Sequence, residues 1–107
     1  MNRSIFEMQA DFCKAMGNAA RQQIIHTLRE RQMKVSDIAQ VTGLSQTLVS
    51  RQLSTLRNAG VVKFQRQGSE TIYQLTDDNI GKVCDLVRKV LSAQLHRQSE
   101  AFSAGDA

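Results

Sequence analysis

Residues 43–62, which read GLSQTLVSRQLSTLRNAGVV, carry the most informative pattern in the chain. Val49, Leu53 and Leu56 recur at the spacing of one helical face, so we predict that this face packs against a core. Ser45 stands just before the helical pattern, where a hydroxyl accepts a hydrogen bond from a free N–H of the first turn. The remaining positions are rich in Ser, Gln, Thr and Arg, and we therefore predict a helix with one apolar and one polar face.

The pattern changes after this helix, from a period of about 3.6 residues to a period of 2. Residues 58–60 (NAG) end the helix at a glycine, which takes positive φ without strain. Residues 61–67 (VVKFQRQ) and 70–75 (ETIYQL) then alternate in the manner of strands. Because they are joined around Gly68 and Ser69, we predict a β-hairpin.

Two helices are predicted near the start of the chain. Residues 5–16 place apolar side chains at helical spacing over a wide arc, which predicts the first helix. Gly17 ends it, and Asn18 is a suitable N-cap for a second helix from residue 19 to about residue 31.

A short third helix is predicted over residues 37–41, with Ser36 as its N-cap and with Ile38 and Val41 buried. Gly43 stops this helix and leads into the polar-faced one. Two helices joined by a short turn containing glycine, the second apolar on one side only, are typical of the helix-turn-helix motif. With the hairpin as a wing, the sequence predicts a mainly helical fold with a small β-hairpin, the winged helix-turn-helix.

The last helix is predicted to begin with Thr76 as its N-cap and to continue for about six turns or more. Its apolar residues cover an arc too broad for one small domain to bury, and the first helix has the same surplus. Surfaces of this kind are commonly buried between two copies of a chain, so we predict a homodimer through the first and last helices. The apolar residues of the last helix are Ile80, Val83, Cys84, Leu86, Val87, Val90 and Leu91.

The amino-acid composition limits the classes of protein to which the chain could belong. The 107 residues contain no proline and no repeat, so we predict a single domain over residues 1–107 with a short flexible tail at about 103–107. The net charge of +4 favours a polyanionic partner such as nucleic acid.

There is no run of about 18 apolar residues, and we expect a cytoplasmic protein without a membrane partner. Two cysteines without a CxxC pair favour free thiols over a disulfide framework.

The polar face of the fourth helix is the predicted DNA-reading face, since the second helix of this motif lies in the major groove. Arg binds guanine acceptors, Gln suits adenine, and Ser or Thr bond phosphates or base edges. The alternative is a solvated helix face that happens to be rich in these residues. The predicted contacts are Ser45, Gln46, Thr47, Ser50, Arg51 and Gln52 from the helix, and Arg66 and Gln67 from the wing.

Two longer stretches carry a family resemblance. KAMGNAARQQIIHTL (residues 14–28) and VSDIAQVTGLSQTLVSRQLSTLRNAGVVKFQRQGSETIYQL (residues 35–75) resemble the winged helix-turn-helix repressors of the ArsR/SmtB family, over roughly residues 10–95. The resemblance implies a homodimeric repressor bound to double-stranded operator DNA. It also implies that DNA affinity falls when a metal ion, a metalloid or a thiol-modifying species acts elsewhere on the dimer.

The metal sites of the family are not carried over. Members with a thiol site at the third helix resemble ELCVCDL there, whereas residues 33–39 read MKVSDIA and contain no thiol. Members that bind zinc along the last helix use Asp and His two residues apart and a later His followed by His or Glu. Here Asp85 is followed by Val87, and His96 by Ser99, so we predict no metal site.

The two cysteines leave two interpretations open. The dithiol positions of oxidant-sensing members correspond to His26 and Ser92, so that switch is not carried over. In this fold the helices bearing Cys13 and Cys84 pack together at the dimer interface, and the thiols would form a disulfide or polysulfide bridge, or hold arsenite with a further donor. Alternatively both are small apolar core residues.

Two other classes of function compete with a regulated repressor. No Gly-rich phosphate loop, carboxylate pair or HExxH motif is present, so we do not predict an enzyme. A winged-helix DNA binder without any ligand, with purely structural cysteines, is the alternative to an effector-released repressor, and a module that uses the same fold for protein contacts is a further one.

Overall fold

The computed structural model describes residues 3–105, with side chains to residue 101. Five helices and three strands follow one another in the order the sequence predicts, apart from one additional short strand. They are α1 (Ile5–Met16), α2 (Ala19–Leu28), β1 (Met33–Lys34), α3 (Val35–Thr42), α4 (Gln46–Asn58), β2 (Val62–Gln67), β3 (Glu70–Leu75) and α5 (Asn79–Gly105).

Side-chain caps fix the starts of α2 and α4 as predicted. The Asn18 Oδ1 atom accepts a hydrogen bond from the backbone N–H of Arg21 at 3.1 Å, and the Ser45 Oγ atom accepts one from the backbone N–H of Leu48 at 3.1 Å. Each cap satisfies one of the N–H groups that a helix start leaves without an intrahelical partner. Both caps therefore confirm the predicted boundaries.

The start and the buried face of α3 differ from the prediction. The helix begins at Val35, and its N-cap, Lys34, makes no side-chain cap hydrogen bond, so Ser36 lies inside the first turn and does not cap it. The reason is β1, whose pairing with β3 fixes the chain up to Lys34. Val41 was predicted to be buried and is 61% exposed, because the core side of α3 is centred on Ile38 and Ala39.

The three strands form one antiparallel sheet in the order β1-β3-β2. The predicted hairpin is confirmed, with Val62 opposite Leu75 and Gln67 opposite Glu70. Gly68, at the turn, has a φ of 65°, which L-residues with a side chain rarely adopt. The strand β1 was not predicted, because a strand of two residues is too short to show a period.

The core lies where α2, α3, α4 and the start of β2 converge. The predicted apolar face of α4 is confirmed, since Val49, Leu53 and Leu56 have no exposed surface. With this face buried, the opposite face of α4 is turned towards solvent. The largest fully buried side chains are Ile24, Ile25, Ile38, Val49, Leu53, Leu56, Val61 and Val62.

The start of α5 also differs from the prediction. Thr76 does not cap the helix, because its hydroxyl donates to the carbonyl oxygen of Gly60 at 2.7 Å. The backbone N–H of Asn79 is instead satisfied by Asp77 Oδ1 at 2.8 Å. Only the first two turns of α5 are covered, and every described side chain after Asp85 is exposed.

The far end of α5 includes part of the expected flexible tail. The helix continues to Gly105, so residues 103–105 of that tail are helical, and residues 106–107 lie outside the described part. Among the described residues, no helix combines the length and the apolar character that a membrane crossing requires.

An ion pair joins α2 to α5. The helix α2 ends at Leu28, three residues earlier than predicted, and Arg29 then turns its guanidinium towards α5. Arg29 Nη1 and Nη2 lie 2.6 Å and 2.9 Å from the two carboxylate oxygens of Asp85, and this contact holds the pKa of Asp85 below its ordinary value. The Arg29 side chain fills the space beside Gly81, where an added Cβ atom would clash with Arg29 Nε.

Candidate nucleic-acid interface

The exposed face of α4 presents a continuous polar surface. Four of the eight predicted reading residues lie together there, on one open depression at the junction of α3 and α4. Gly43, with a φ of 76°, makes the left-handed turn that directs the chain from α3 into α4. The residues that line the depression are Val35, Gln46, Thr47, Ser50, Arg51 and Ser54.

Two serines, one at the N-cap of α4 and one inside it, use part of their hydrogen-bonding capacity on the backbone of the helix. Ser45 accepts the cap hydrogen bond described above, and Ser54 donates its hydroxyl proton to the carbonyl oxygen of Ser50 at 3.3 Å. Ser54 was not among the predicted contacts. Its position four residues after Ser50, which places both on the same helix face, could have identified it from the sequence. Ser50 and Arg51 are exposed, and their side chains make no hydrogen bond within the described residues.

Gln52 lies apart from the other predicted residues, at the edge of the polar face towards α2. It is half-buried, and its Oε1 atom accepts a hydrogen bond from Arg21 Nη1 at 2.7 Å. The sequence could not show this contact, because 31 residues separate the two side chains.

The wing is held against α4 by an aromatic contact. The Arg57 guanidinium lies over the ring of Phe64 at 4.3 Å from its centroid, and Phe64 packs against Tyr73 with 5.7 Å between ring centroids. A cation over an aromatic face is attracted by the ring's negative potential. This contact fixes the hairpin beside the polar face of α4.

The predicted wing residues, Arg66 and Gln67, are exposed at the distal end of β2. Arg66 Nη1 lies 3.4 Å from the hydroxyl oxygen of Thr71 across the hairpin, which directs the side chain without burying it. Opposite Gln67, the Glu70 carboxylate lies 3.0 Å from the Lys34 ammonium and raises its pKa. The Glu70 carboxylate of the wing is thus paired with Lys34 of β1. Arg66 has no carboxylate partner among the described residues.

The two cysteines line one groove between α1 and α5, of about 560 Å³. Cys13 is exposed on α1, whereas Cys84 is 7% exposed and packs with the core. The groove is mostly apolar, with Met16, Val83 and Val87 among its lining residues.

The described residues give no indication of a metal centre. They contain no group of three or more His, Cys, Asp or Glu side chains placed to hold a metal ion. His96 lies 3.0 Å from a carboxylate oxygen of Glu100, one turn along α5.

A polar-faced helix on a helix-turn-helix core, with an antiparallel hairpin beside it, defines the class of winged helix-turn-helix DNA-binding proteins. The family model of the bacterial regulatory proteins of the arsR family matches residues 18–63. Rv0081 of Mycobacterium tuberculosis H37Rv, an uncharacterised HTH-type transcriptional regulator, is 34% identical over 92 residues, which cover 85% of this chain and 81% of the relative. The chain belongs to the ArsR family of transcriptional regulators, which are DNA-binding proteins and not enzymes.

Solved structures agree with this assignment. The crystal structure of Rv0081 matches with a TM-score of 0.78 at 32% identity, over 91% of this chain and 98% of that one. The solution structure of the homodimeric winged helix-turn-helix DNA-binding domain of Mb0332 from Mycobacterium bovis matches with a TM-score of 0.77 at 28% identity, over 87% and 86%. The HTH-type transcriptional repressor SmtB of M. tuberculosis H37Rv is 31% identical over 100 residues, 94% of this chain and 70% of the relative. The predicted fold class and family are confirmed.

Proposed function

We propose that this chain is a homodimeric repressor that binds operator DNA through α4 and the wing, and that a thiol-reactive species or arsenite acting at Cys13 and Cys84 releases it. The observation that carries the proposal is the free polar face of α4, which a fully buried apolar face holds towards solvent. As a DNA-bound regulator the protein would act in the cytoplasm.

The charge and chemistry of this face suit DNA. Arg51 supplies a guanidinium that matches the acceptor pair of guanine in the major groove, and Ser50 and Thr47 supply hydroxyls for phosphates or base edges. Arg66 extends the basic surface to the wing, where it would bind the backbone or the minor groove. The net charge of +4 adds a favourable interaction with the phosphates that does not depend on sequence.

Exposed apolar surface on α1 and α5 supports the homodimer. Phe6 on α1 is 78% exposed and Leu86 on α5 is 61% exposed, so no other element covers these side chains within residues 3–105. Mb0332, a structural neighbour, is described as homodimeric. A two-fold dimer would present two copies of α4 to adjacent major grooves, which are about 34 Å apart.

The shared groove of Cys13 and Cys84 supports the effector part of the proposal. Two thiols that form a disulfide lose two protons and one electron pair, and a polysulfide is a suitable oxidant because it is reduced to hydrosulfide in the same step. Arsenite would instead bind both thiolates together with a further donor. Either event joins α1 to α5, and it would alter the spacing of the two reading helices and lower operator affinity.

One observation favours the alternative, a ligand-independent DNA binder with structural cysteines. Cys84 belongs to the core cluster beside Ile80 and is 7% exposed, as a small apolar residue would be. In that case only Cys13 would react with thiol reagents, and operator affinity would not change.

Fluorescence anisotropy of a labelled duplex from upstream of the protein's own gene separates these candidates. The protein is titrated fully reduced, and then after treatment with a polysulfide, a disulfide oxidant or arsenite. We expect a loss of affinity that disappears in both Cys13→Ser and Cys84→Ser. Equal affinity before and after all three treatments would support the ligand-independent binder, and absence of any specific binding would exclude both candidates.

A further inference from the structure

The last turn of α1 is held by two side chains of α2. Arg21 Nε donates to the carbonyl oxygen of Ala15 at 2.5 Å, and Gln22 Nε2 donates to the carbonyl oxygen of Met16 at 2.7 Å. The end of a helix leaves such carbonyl groups without an intrahelical partner, and the positive charge of an arginine is favourable there. Both donating side chains are half-buried. They therefore fix the end of α1 against the start of α2.

Arg21 extends from this contact to α4. Its Nη1 atom donates to Gln52 Oε1 at 2.7 Å, so one guanidinium joins the end of α1 to the edge of the polar face of α4. A guanidinium presents five N–H donors in a fixed planar arrangement, so a single side chain holds two acceptors at a set separation. The neighbouring Gln22 makes no hydrogen bond with α4 in the part of the chain that the structure describes.

The rest of α1 has few contacts that could orient it. Within Ile5–Met16, only Ala15 and Met16 are buried, and Phe12 is half-buried. Within residues 3–101, the side-chain hydrogen bonds that reach α1 from another helix or strand come from Arg21 and Gln22 alone. The direction of α1 relative to α4 is therefore set at the last turn of α1, where Arg21 bridges the two helices.

We propose that Arg21 is a positioning residue that fixes α4 relative to α1 and thereby sets the spacing of the operator half-sites that the homodimer accepts. The inference rests on the proposed function, in which α1 packs against the partner and α4 lies in the major groove. Each base pair inserted between two half-sites moves them apart by about 3.4 Å and rotates one relative to the other by about a tenth of a turn. A stiff connection between α1 and α4 penalises this mismatch, whereas a loose one tolerates it.

The test measures how strictly the homodimer discriminates between operators that differ only in half-site spacing. Footprinting on the upstream duplex locates the two half-sites, and altered duplexes carry one base pair more or one fewer between them. Anisotropy gives the ratio of the affinities for the original and the altered spacing. The wild type should prefer the original spacing, and Arg21→Met should reduce this preference by about threefold or more, because the bridge is lost.

Gln52→Met removes the other end of the bridge and should reduce the spacing preference to a similar extent. The double variant Arg21→Met/Gln52→Met should reduce it no further than either single variant, because both side chains act through one contact. Gln22→Met is the matched control, since it removes the neighbouring hydrogen bond to α1 but no contact with α4. Its spacing preference should stay within about twofold of the wild type.

The ratio of affinities separates positioning from other roles of these side chains. A general loss of stability, or the loss of one positive charge, would lower the affinity for every spacing by a similar factor and leave the ratio unchanged. A contact of Gln52 with DNA alone would also leave the ratio unchanged in Gln52→Met. If Arg21→Met does not fold, Gln52→Met at the edge of the polar face still decides between these roles.

Several results would overturn the inference. An unchanged spacing preference in Arg21→Met or in Gln52→Met would show that the bridge does not position α4. An equal reduction in Gln22→Met, or a further reduction in the double variant, would show that the effect does not depend on one bridge. In all these results the wild type still binds its operator, and the proposed function stands. If the wild type binds no operator, the proposed function fails as well.

Discussion

Single side chains on α4 divide sharply into those that hold the fold and those that are free to bind. Leu53 has no exposed surface, and three residues earlier Ser50 is exposed, and its side chain makes no hydrogen bond to any residue that the structure describes. Arg51 is exposed beside Ser50, and no carboxylate pairs with it in the described part of the chain. Substitutions at these positions therefore test binding and folding separately.

Arg51→Ala should weaken operator binding by about 1–3 kcal/mol, which is the usual contribution of a bidentate contact with guanine. The dimer should remain intact, because the side chain is exposed and lies on the polar face of α4, away from the apolar surfaces of α1 and α5. Anisotropy titrations with the operator duplex measure the loss. Arg31→Ala, which removes an exposed arginine between α2 and β1, is the matched control and should leave affinity within about twofold. Equal affinities for the wild type and Arg51→Ala would show that the reading face is placed wrongly.

Leu53→Ala and Ser50→Ala should have opposite consequences. Removing the buried Leu53 side chain should lower the free energy of unfolding by about 2–5 kcal/mol, because it leaves a cavity in the core. Ser50→Ala should change that free energy by less than about 0.5 kcal/mol but weaken DNA binding. Urea denaturation followed by circular dichroism, together with anisotropy, measures both quantities. A stable Leu53→Ala protein would contradict the assigned core face.

At the scale of elements, the angle between α5 and the helix-turn-helix core is set by few contacts. The first two turns of α5 are covered, and the Arg29–Asp85 ion pair joins them to the end of α2. Gly81 is necessary for this arrangement because a side chain there would occupy the place of the guanidinium. Position 81 therefore tolerates a larger residue only if Arg29 moves away from Asp85.

The ion pair predicts a pH dependence of stability. Because the pKa of Asp85 is lowered in the folded chain, the ionised carboxylate stabilises the fold above its unfolded pKa of about 4. This contribution is lost as the pH falls through the lower, folded pKa. Asp85→Asn should therefore lower Tm at pH 7, and the difference from the wild type should shrink below about pH 4.

Thermal melts of both proteins from neutral to acidic pH measure this difference. Asp78→Asn, at an exposed position just before α5, provides a control for the loss of one negative charge. A difference between the wild type and Asp85→Asn that is the same at every pH would contradict the role of the carboxylate.

The elements also show how far the sequence determines the fold. Boundaries set by local chemistry were predictable, such as the Asn18 and Ser45 caps and the Gly68 turn. The predictions were wrong where a residue distant in sequence determines the local structure. The pairing of β1 with β3 fixes the start of α3, and the Thr76 hydroxyl donates to the carbonyl oxygen of Gly60 instead of capping α5. The same holds for the site, because the polar face of α4 follows from spacing, whereas the contact of Gln52 with Arg21 depends on tertiary packing.

The whole molecule is more extended than its length requires. Its radius of gyration is 17.2 Å, whereas a compact chain of this length has about 13 Å. The difference arises from α5, which continues for about five turns beyond the last residue that the core covers. In the proposed homodimer this part of α5 packs against the partner.

Leu86→Glu should convert the dimer to a monomer, because it places a charge in the apolar surface that the proposal buries. Sedimentation velocity should then give a species of about 12.0 kDa, the mass of one chain. Lys89→Glu is the matched control on the same helix and should leave the dimer unchanged. A dimeric Leu86→Glu protein would show that this side of α5 lies outside the interface.

The uncovered end of α5 has a consequence for gene dosage. A helix of this length without packing is only marginally stable in water, so in the proposed homodimer its order would depend on an encounter with a second chain. At low abundance the number of such pairs grows as the square of the number of chains, and halving the copies of the protein lowers the number of pairs about fourfold. Repression by such a dimer would rise steeply with the expression of the chain. A twofold dilution of the protein during growth would therefore remove more than half of the repression.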